Sequence, residues 1–157
     1  MPRETLALAV ARAARGPIGR FADDVHETLH EAMDRHGEWQ EAIVSSKTLT
    51  DGPVRVGTRA TDRRRVPGGM KVNVTYEIVE YDPPRRTRFQ VVNGPVRPAG
   101  TITVQPLAGG TRARLTLELD FQGHGIGKLI APMARRQAKK QVPADQRRLK
   151  QRLEAGA

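Results

Sequence analysis

The sequence predicts an α+β fold. About six to seven antiparallel strands form one curved sheet wrapped on a long C-terminal helix, with a short helical segment after the first strand. Three observations predict it. Apolar and polar residues alternate with period two through the middle of the chain, most cleanly at Val72, Val74, Tyr76 and Ile78. Proline- and glycine-rich turns punctuate these runs at short intervals. After the last alternating run the period lengthens to that of a helix and stays there almost to the C-terminus.

Each element follows from its own residues. Residues 5–11 form a short first strand, broken by Gly16-Pro17. Phe21, Val25, Leu29 and Met33 recur at helical spacing, so Ile18 to about Arg35 reads as one or two helices, which Gly37 ends by taking the left-handed conformation. Ile43 to Leu49 is the next strand, followed by the turn Asp51-Gly52-Pro53. Thr58 to Val66 is another, closed by Pro67-Gly68-Gly69. In the run from Lys71 to Ile78 one face is apolar, while Lys71, Asn73, Thr75 and Glu77 form a wet one. Asp82-Pro83-Pro84 stops it, because proline cannot donate to a ladder.

Thr87 to Asn93 and Gly100 to Gln105 give two more strands. The last has Ala113, Leu115, Leu117, Leu119 and Phe121 on its dry face. Gln122 to Gly125 then releases the chain into a helix reaching about Leu153. Ile126, Leu129, Ile130 and Met133 form the apolar stripe of that helix, continued by Val142, Leu149 and Leu153. Pro132 and Pro143 predict kinks or a break. A long helix standing off a curved sheet leaves a cavity, and Val, Leu, Phe and Met side chains make it apolar.

A chain of 157 residues fits one domain, 1–157. With 38% hydrophobic but only 4% aromatic residues, its core is built mainly from Val, Leu, Ile and Ala. The absence of cysteine excludes disulfides and thiolate chemistry. Leu6 to Ala14 is too short, and too interrupted by Arg12, for a signal peptide. No run approaches the roughly 20 apolar residues of a membrane span, so the expected location is the cytoplasm. The net charge of +10 favours weak contact with anionic surfaces. Its basic clusters are dispersed (Arg63 to Arg65, Arg85-Arg86, Arg135 to Lys140) and lack the aromatic platforms of single-strand binders, which argues against nucleic acid as a partner.

The chain resembles the polyketide cyclase/dehydrase and lipid-transport branch of the START-like (Bet v 1-type, SRPBCC) superfamily. The resemblance is carried by Gly52-Pro53-Val54-Arg55-Val56-Gly57-Thr58-Arg59, by Tyr76-Glu77-Ile78-Val79-Glu80-Tyr81-Asp82-Pro83-Pro84-Arg85-Arg86, by Gly109-Gly110-Thr111-Arg112, and by the tail from Phe121 to Glu154. Trp39 stands where the family often has a Trp closing the helical segment. The resemblance covers residues 39–154, and the chain before Trp39 follows the pattern less closely. It implies a helix-grip fold with a ligand pocket, and no particular reaction, since carriers, sensors and cyclases share the fold.

Two groups of residues could carry chemistry. His26-Glu27-Thr28-Leu29-His30 is a literal H-E-x-x-H, in which His26 and His30 would share a helix face as zinc ligands of a hydrolase and Glu27 would be the base. His36 lies roughly 80–120° around the axis from them if the helix continues, which takes it off the metal. An amphipathic helix with a polar face accounts for the same residues and is the preferred reading. The second group follows from Ala60: if it faces inward, period two carries Asp62 and Arg64 inward too, with Tyr76 and Asn93 on the same face. They could orient a ligand's carbonyl or act as acid and base in a cyclisation. A register slipped by one residue would put both in water, and an internal salt bridge would occupy both; these alternatives weigh more than a catalytic pair. There is no P-loop, no G-x-G-x-x-G and no G-x-S-x-G, and no cofactor is expected. The glycines of Gly123 to Gly127 make a tight turn and let helix and sheet approach closely; His124 at the cavity's mouth could touch a ligand, and a solvated loop histidine is the preferred reading.

The preferred reading is a domain that binds or carries a small hydrophobic, lipid- or polyketide-like molecule. Its pocket would be lined from the strands by Val72, Val74, Tyr76, Phe89, Val91, Leu115 and Leu117, from the helix by Ile126, Ile130 and Met133, and at one end by Trp39. The alternatives are a cyclase/dehydratase using Asp62, Arg64 or Tyr76 in the same pocket, the zinc hydrolase, and a protein whose basic surface meets an acidic partner or membrane.

Overall fold

The computed structural model describes residues 3–11, 33–66, 68–107, 112–121 and 127–154. Strand β1 (Arg3–Ala11) and a 3-10 helix, η1 (Met33–Glu38), precede β2 (Ile43–Thr48), β3 (Arg59–Arg65), β4 (Lys71–Asp82), β5 (Arg86–Val91), β6 (Ala99–Leu107) and β7 (Arg112–Asp120). The chain then forms α1, a helix from Gly127–Glu154. The seven strands make one curved antiparallel sheet in the order β1-β7-β6-β5-β4-β3-β2. Strands β2 to β7 are sequential neighbours, while β1 returns to pair with β7.

The turns sit where the sequence places them. Gly68 and Gly69 have φ of 95° and 84°, a conformation that L side chains rarely adopt, and carry the chain from β3 to β4. Between β4 and β5, the Arg85 amide donates to the Asp82 carbonyl at 2.9 Å. Strand β4 is longer than its alternating run because a bulge between Ile78 and Glu80 shifts its register against β5. Past the bulge, Tyr81 packs with the cluster that holds Ile78 and Tyr76.

Among the described residues, two clusters of buried side chains stand out. Leu149 and Leu153 of α1 pack on Val104, Ala113 and Leu115, with Trp39 and Ile102 against them. Ala60, Tyr76, Ile78 and Val91 form the other, joined by Val54, Val74, Tyr81 and Phe89. The Phe89 ring lies over Gly100, where a Cβ would collide with it. At the other end of the helix, Gly127 sits so tightly on the Pro95 carbonyl that no side chain fits there, so its close approach is to the connection between β5 and β6 and not to a strand.

Three expectations are corrected. Gly37 does not end a helix in the left-handed conformation: it lies within η1, where a Cβ would make only ordinary contact with Ile43, 3.4 Å from its Cγ2. Of the kinks or break expected at Pro132 and Pro143, the break does not occur: α1 runs through both. Finally, Leu129, Ile130 and Met133 are 78%, 38% and 64% exposed and do not form the docked stripe. The docked face is set by Leu149 and Leu153, and at 100° per residue Leu129 and Met133 fall about 160–200° around the axis from Leu149. The helix carries two apolar stripes on opposite sides, and only the C-terminal one meets the sheet.

Candidate functional site

One face of the sheet gathers the apolar residues. In the β3–β4 ladder Ala60, Asp62 and Arg64 pair with Tyr76, Val74 and Val72, so the six side chains share that face. Strand β5 adds Val91 and Phe89 opposite Tyr76 and Ile78. Strands β6 and β7 add Ile102 and Val104 opposite Leu117 and Leu115.

A short polar chain interrupts this surface. Asp62, 4% exposed, accepts a hydrogen bond from Ser46 Oγ at 2.8 Å and has Arg64 Nη1 3.6 Å from its other oxygen. The same Arg64 nitrogen donates to Gln40 Oε1 at 3.1 Å. Tyr76, a diagonal neighbour of Asp62 across the ladder, meets Phe89 edge-on with ring centroids 5.9 Å apart. Its hydroxyl is buried and has no hydrogen-bond partner among the described residues. Burial, reinforced by the Asp62 charge, pushes that hydroxyl well above the ordinary tyrosine range, against the smaller opposing effect of Arg64. Tyr76 is therefore a donor here and not a base.

Helix α1 contributes a second polar group. Asp145 Oδ1 accepts from the Glu41 amide at 3.2 Å and from Arg148 Nη1 at 2.8 Å, while Arg148 Nη2 reaches Glu41 at 2.7 Å. Burial raises the Asp145 carboxyl, and these donors oppose it. Trp39 is delivered here by a turn in which the His36 carbonyl accepts from the Trp39 and Gln40 amides. Glu38 anchors the same turn to α1 through Arg152. Trp39 Nε1, Thr87 Oγ1 and Gln146 Nε2 join Tyr76 Oη as buried polar atoms without a partner among the described residues.

A sequence model for polyketide cyclase/dehydrase and lipid-transport proteins matches residues 15–154. The chain belongs to this family. The match begins well before Trp39 and so takes in most of the segment whose resemblance is weaker. No curated protein is a significant sequence match. Among solved structures, the chain is similar to the protein TTHA0849 from Thermus thermophilus, with a TM-score of 0.75, 18% identity and 99% of both chains covered. It is similar to a START superfamily protein from Mycobacterium smegmatis at 0.74 and 13% identity, again covering 99% of each. The di-domain ARO/CYC protein BexL of the BE-7585A biosynthetic pathway aligns at 0.72 and 18% identity over 98% of this chain. The chain spans about half of BexL, 47% of its length. These likenesses establish the fold, and that fold, in this family, supports binding of a hydrophobic ligand.

Within this family member, the structure brings together most of the residues singled out in the sequence. Val72, Val74, Tyr76, Phe89, Val91, Leu115 and Leu117 share the sheet face, and Trp39 packs beside Leu149 and Leu153. Asp62 and Arg64 face inward, and they also form the internal ion pair, so these two alternatives coexist. Ile130 and Met133 are not on this face, as the two-stripe helix requires. Asn93 does not join the polar cluster. Its side-chain oxygen accepts from the Thr75 amide at 2.8 Å and its nitrogen donates to the Asn73 carbonyl at 2.9 Å, which extends the edge of β4. Ile126, His26, His30 and His124 lie outside the described residues. Among those described, no three His, Asp or Glu side chains cluster as metal ligands do.

Ser46, Gln40, Thr87, Asp145 and Gln146 were not anticipated. Period two could have found Ser46, opposite Asp62 in the β2–β3 ladder. Asp145 and Gln146 gave no signal, because an acidic and an amide residue among arginines read as a solvated helix face.

Proposed function

We infer that the protein binds or carries a small, mainly hydrophobic molecule, lipid- or polyketide-like, against the apolar sheet face under the helix, with an oxygen acceptor of that molecule on Tyr76. The observation that carries this is the Tyr76 hydroxyl, buried among Ala60, Ile78, Val91 and Phe89 and without a partner among the described residues. An unmet buried donor costs about 1–3 kcal/mol, and a ligand carbonyl or hydroxyl oxygen would remove that cost. Arg64, held by Asp62 and Gln40, adds a fixed positive charge beside it. Val74, Phe89, Val91 and Leu117 would contact the apolar body.

A second reading, a cyclase or dehydratase, is favoured by the trio of carboxylate, guanidinium and neutral phenol on one face. In it Tyr76 would donate a proton to a developing alkoxide and Asp62 would take one from carbon. Against it, both oxygens of Asp62 are already engaged, one by Ser46 and the other by Arg64, and neither is turned to a substrate carbon. Native mass spectrometry of the purified protein, followed by organic extraction, tests the binding reading. A retained apolar compound, absent from Leu117→Trp, is the expected result; a bare protein that also fails to take up the uncharged dye N-phenyl-1-naphthylamine would refute it. An extracted compound that the parent converts, and Asp62→Asn binds unchanged, would favour the enzyme.

A further inference from the structure

The face of α1 turned away from the sheet carries an apolar pair followed by a basic one. Leu129, Met133, Arg136 and Lys140 are spaced i, i+4, i+7 and i+11, which puts all four on one stripe within about 60° of arc. All four are exposed, with Ile130 at the stripe's edge. Along the axis the apolar pair occupies the first turns of the helix, and Lys140 lies about 16 Å from Leu129. The segment 127–144 has five basic residues and no acid; the first acid of the helix is Asp145, on the docked side.

We propose that this N-terminal half of α1 is a docking surface for an anionic lipid bilayer. Leu129, Met133 and Ile130 enter the headgroup–acyl boundary, and Arg136 and Lys140 meet lipid phosphates one to three turns further along. The order of residues fits a helix meeting the surface at a tilt, apolar end first, with its basic shoulder at headgroup level. Among the described residues no helix is long and apolar enough to cross a membrane, so the contact is with the surface. A nucleic acid would use the cations and leave the aliphatic pair in water. A second copy of the chain would have to bring two acid-free basic segments together. A lipid surface satisfies both halves of the stripe, and the proposal stands whether or not the sheet face binds a ligand.

The test is flotation of the full chain with phosphatidylcholine vesicles and with mixed vesicles in which phosphatidylglycerol is the minor component. Binding to the mixed vesicles only is expected. Arg136→Gln with Lys140→Gln should weaken it about thirtyfold, from about a fivefold effect per charge near the surface. Leu129→Ser with Met133→Ser should weaken it at least tenfold. Because all four side chains are exposed, each double variant should keep the parent's melting temperature. The sequence has no cysteine, so Met133→Cys gives a single site for acrylodan, whose emission should shift to the blue on mixed vesicles alone. No flotation, or flotation lost with the basic pair but untouched by the apolar pair, would overturn the proposal. So would a solution dimer that Leu129→Ser and Met133→Ser convert to monomer.

Discussion

Arg64 and Asp62, two residues apart on β3, point to the same face of the sheet and place a guanidinium 3.6 Å from a carboxylate that is almost wholly buried. Removing the cation leaves Asp62 with Ser46 as its remaining side-chain donor. Arg64→Leu should therefore lower stability by roughly 2–3 kcal/mol, at the low end for a broken buried pair because the Arg64 side chain keeps 27% exposure. Asp62→Asn with Arg64→Leu should recover part of that loss. Urea unfolding of the two variants measures both, and equal midpoints would show that the pair does not act as a unit.

Tyr76→Phe removes the unmet hydroxyl and nothing else. Stability of the ligand-free protein should stay level or rise by up to about 1 kcal/mol. Retention of an oxygen-bearing ligand should fall about five- to tenfold. Because burial raises this hydroxyl above the ordinary 10.0, ligand affinity should not drop as pH approaches 10. A titration of affinity against pH checks it.

Gly100 has Phe89 directly over it. Gly100→Ala should destabilise by about 1–3 kcal/mol, since the ring must leave its place. Adding Phe89→Leu should restore much of the loss, whereas Phe89→Leu alone should cost stability. Calorimetric melting of the three variants reads the coupling.

The two ends of α1 should respond oppositely to truncation. Leu149 is fully buried and Leu129 is mostly in water. Leu149→Ala should cost about 3 kcal/mol, and Leu129→Ala less than about 0.5. Chemical denaturation compares them directly.

Burial raises the Asp145 carboxyl above its usual 3.8, so the folded protein keeps that proton to higher pH than the unfolded chain does. Its contribution to stability is therefore largest below 3.8 and declines as pH rises through the raised native value. Asp145→Asn cannot show this decline. As pH rises from about 4 the melting temperature of the variant should gain on that of the parent.

The strands, their turns and the apolar sheet face were legible in the sequence because a strand offers only two faces. Once Val72, Val74 and Tyr76 fix one as dry, Asp62 and Arg64 need only the register of the neighbouring strand to join them. That register was the open choice, and pairing of Asp62 with Val74 decided it. Local pattern could not decide the helix. Its two apolar stripes lie on opposite sides, and either could dock until Leu149 and Leu153 met Val104 and Leu115. The polar contacts were invisible for a related reason. Arg64 reaches Gln40 across 24 residues once β2 pairs with β3, and Glu41 reaches Asp145 across 104 only when the helix is laid on the sheet. The sequence determined which side chains each strand can offer to a ligand. Tertiary packing decided which side of the helix faces them and which polar groups are left buried without a partner.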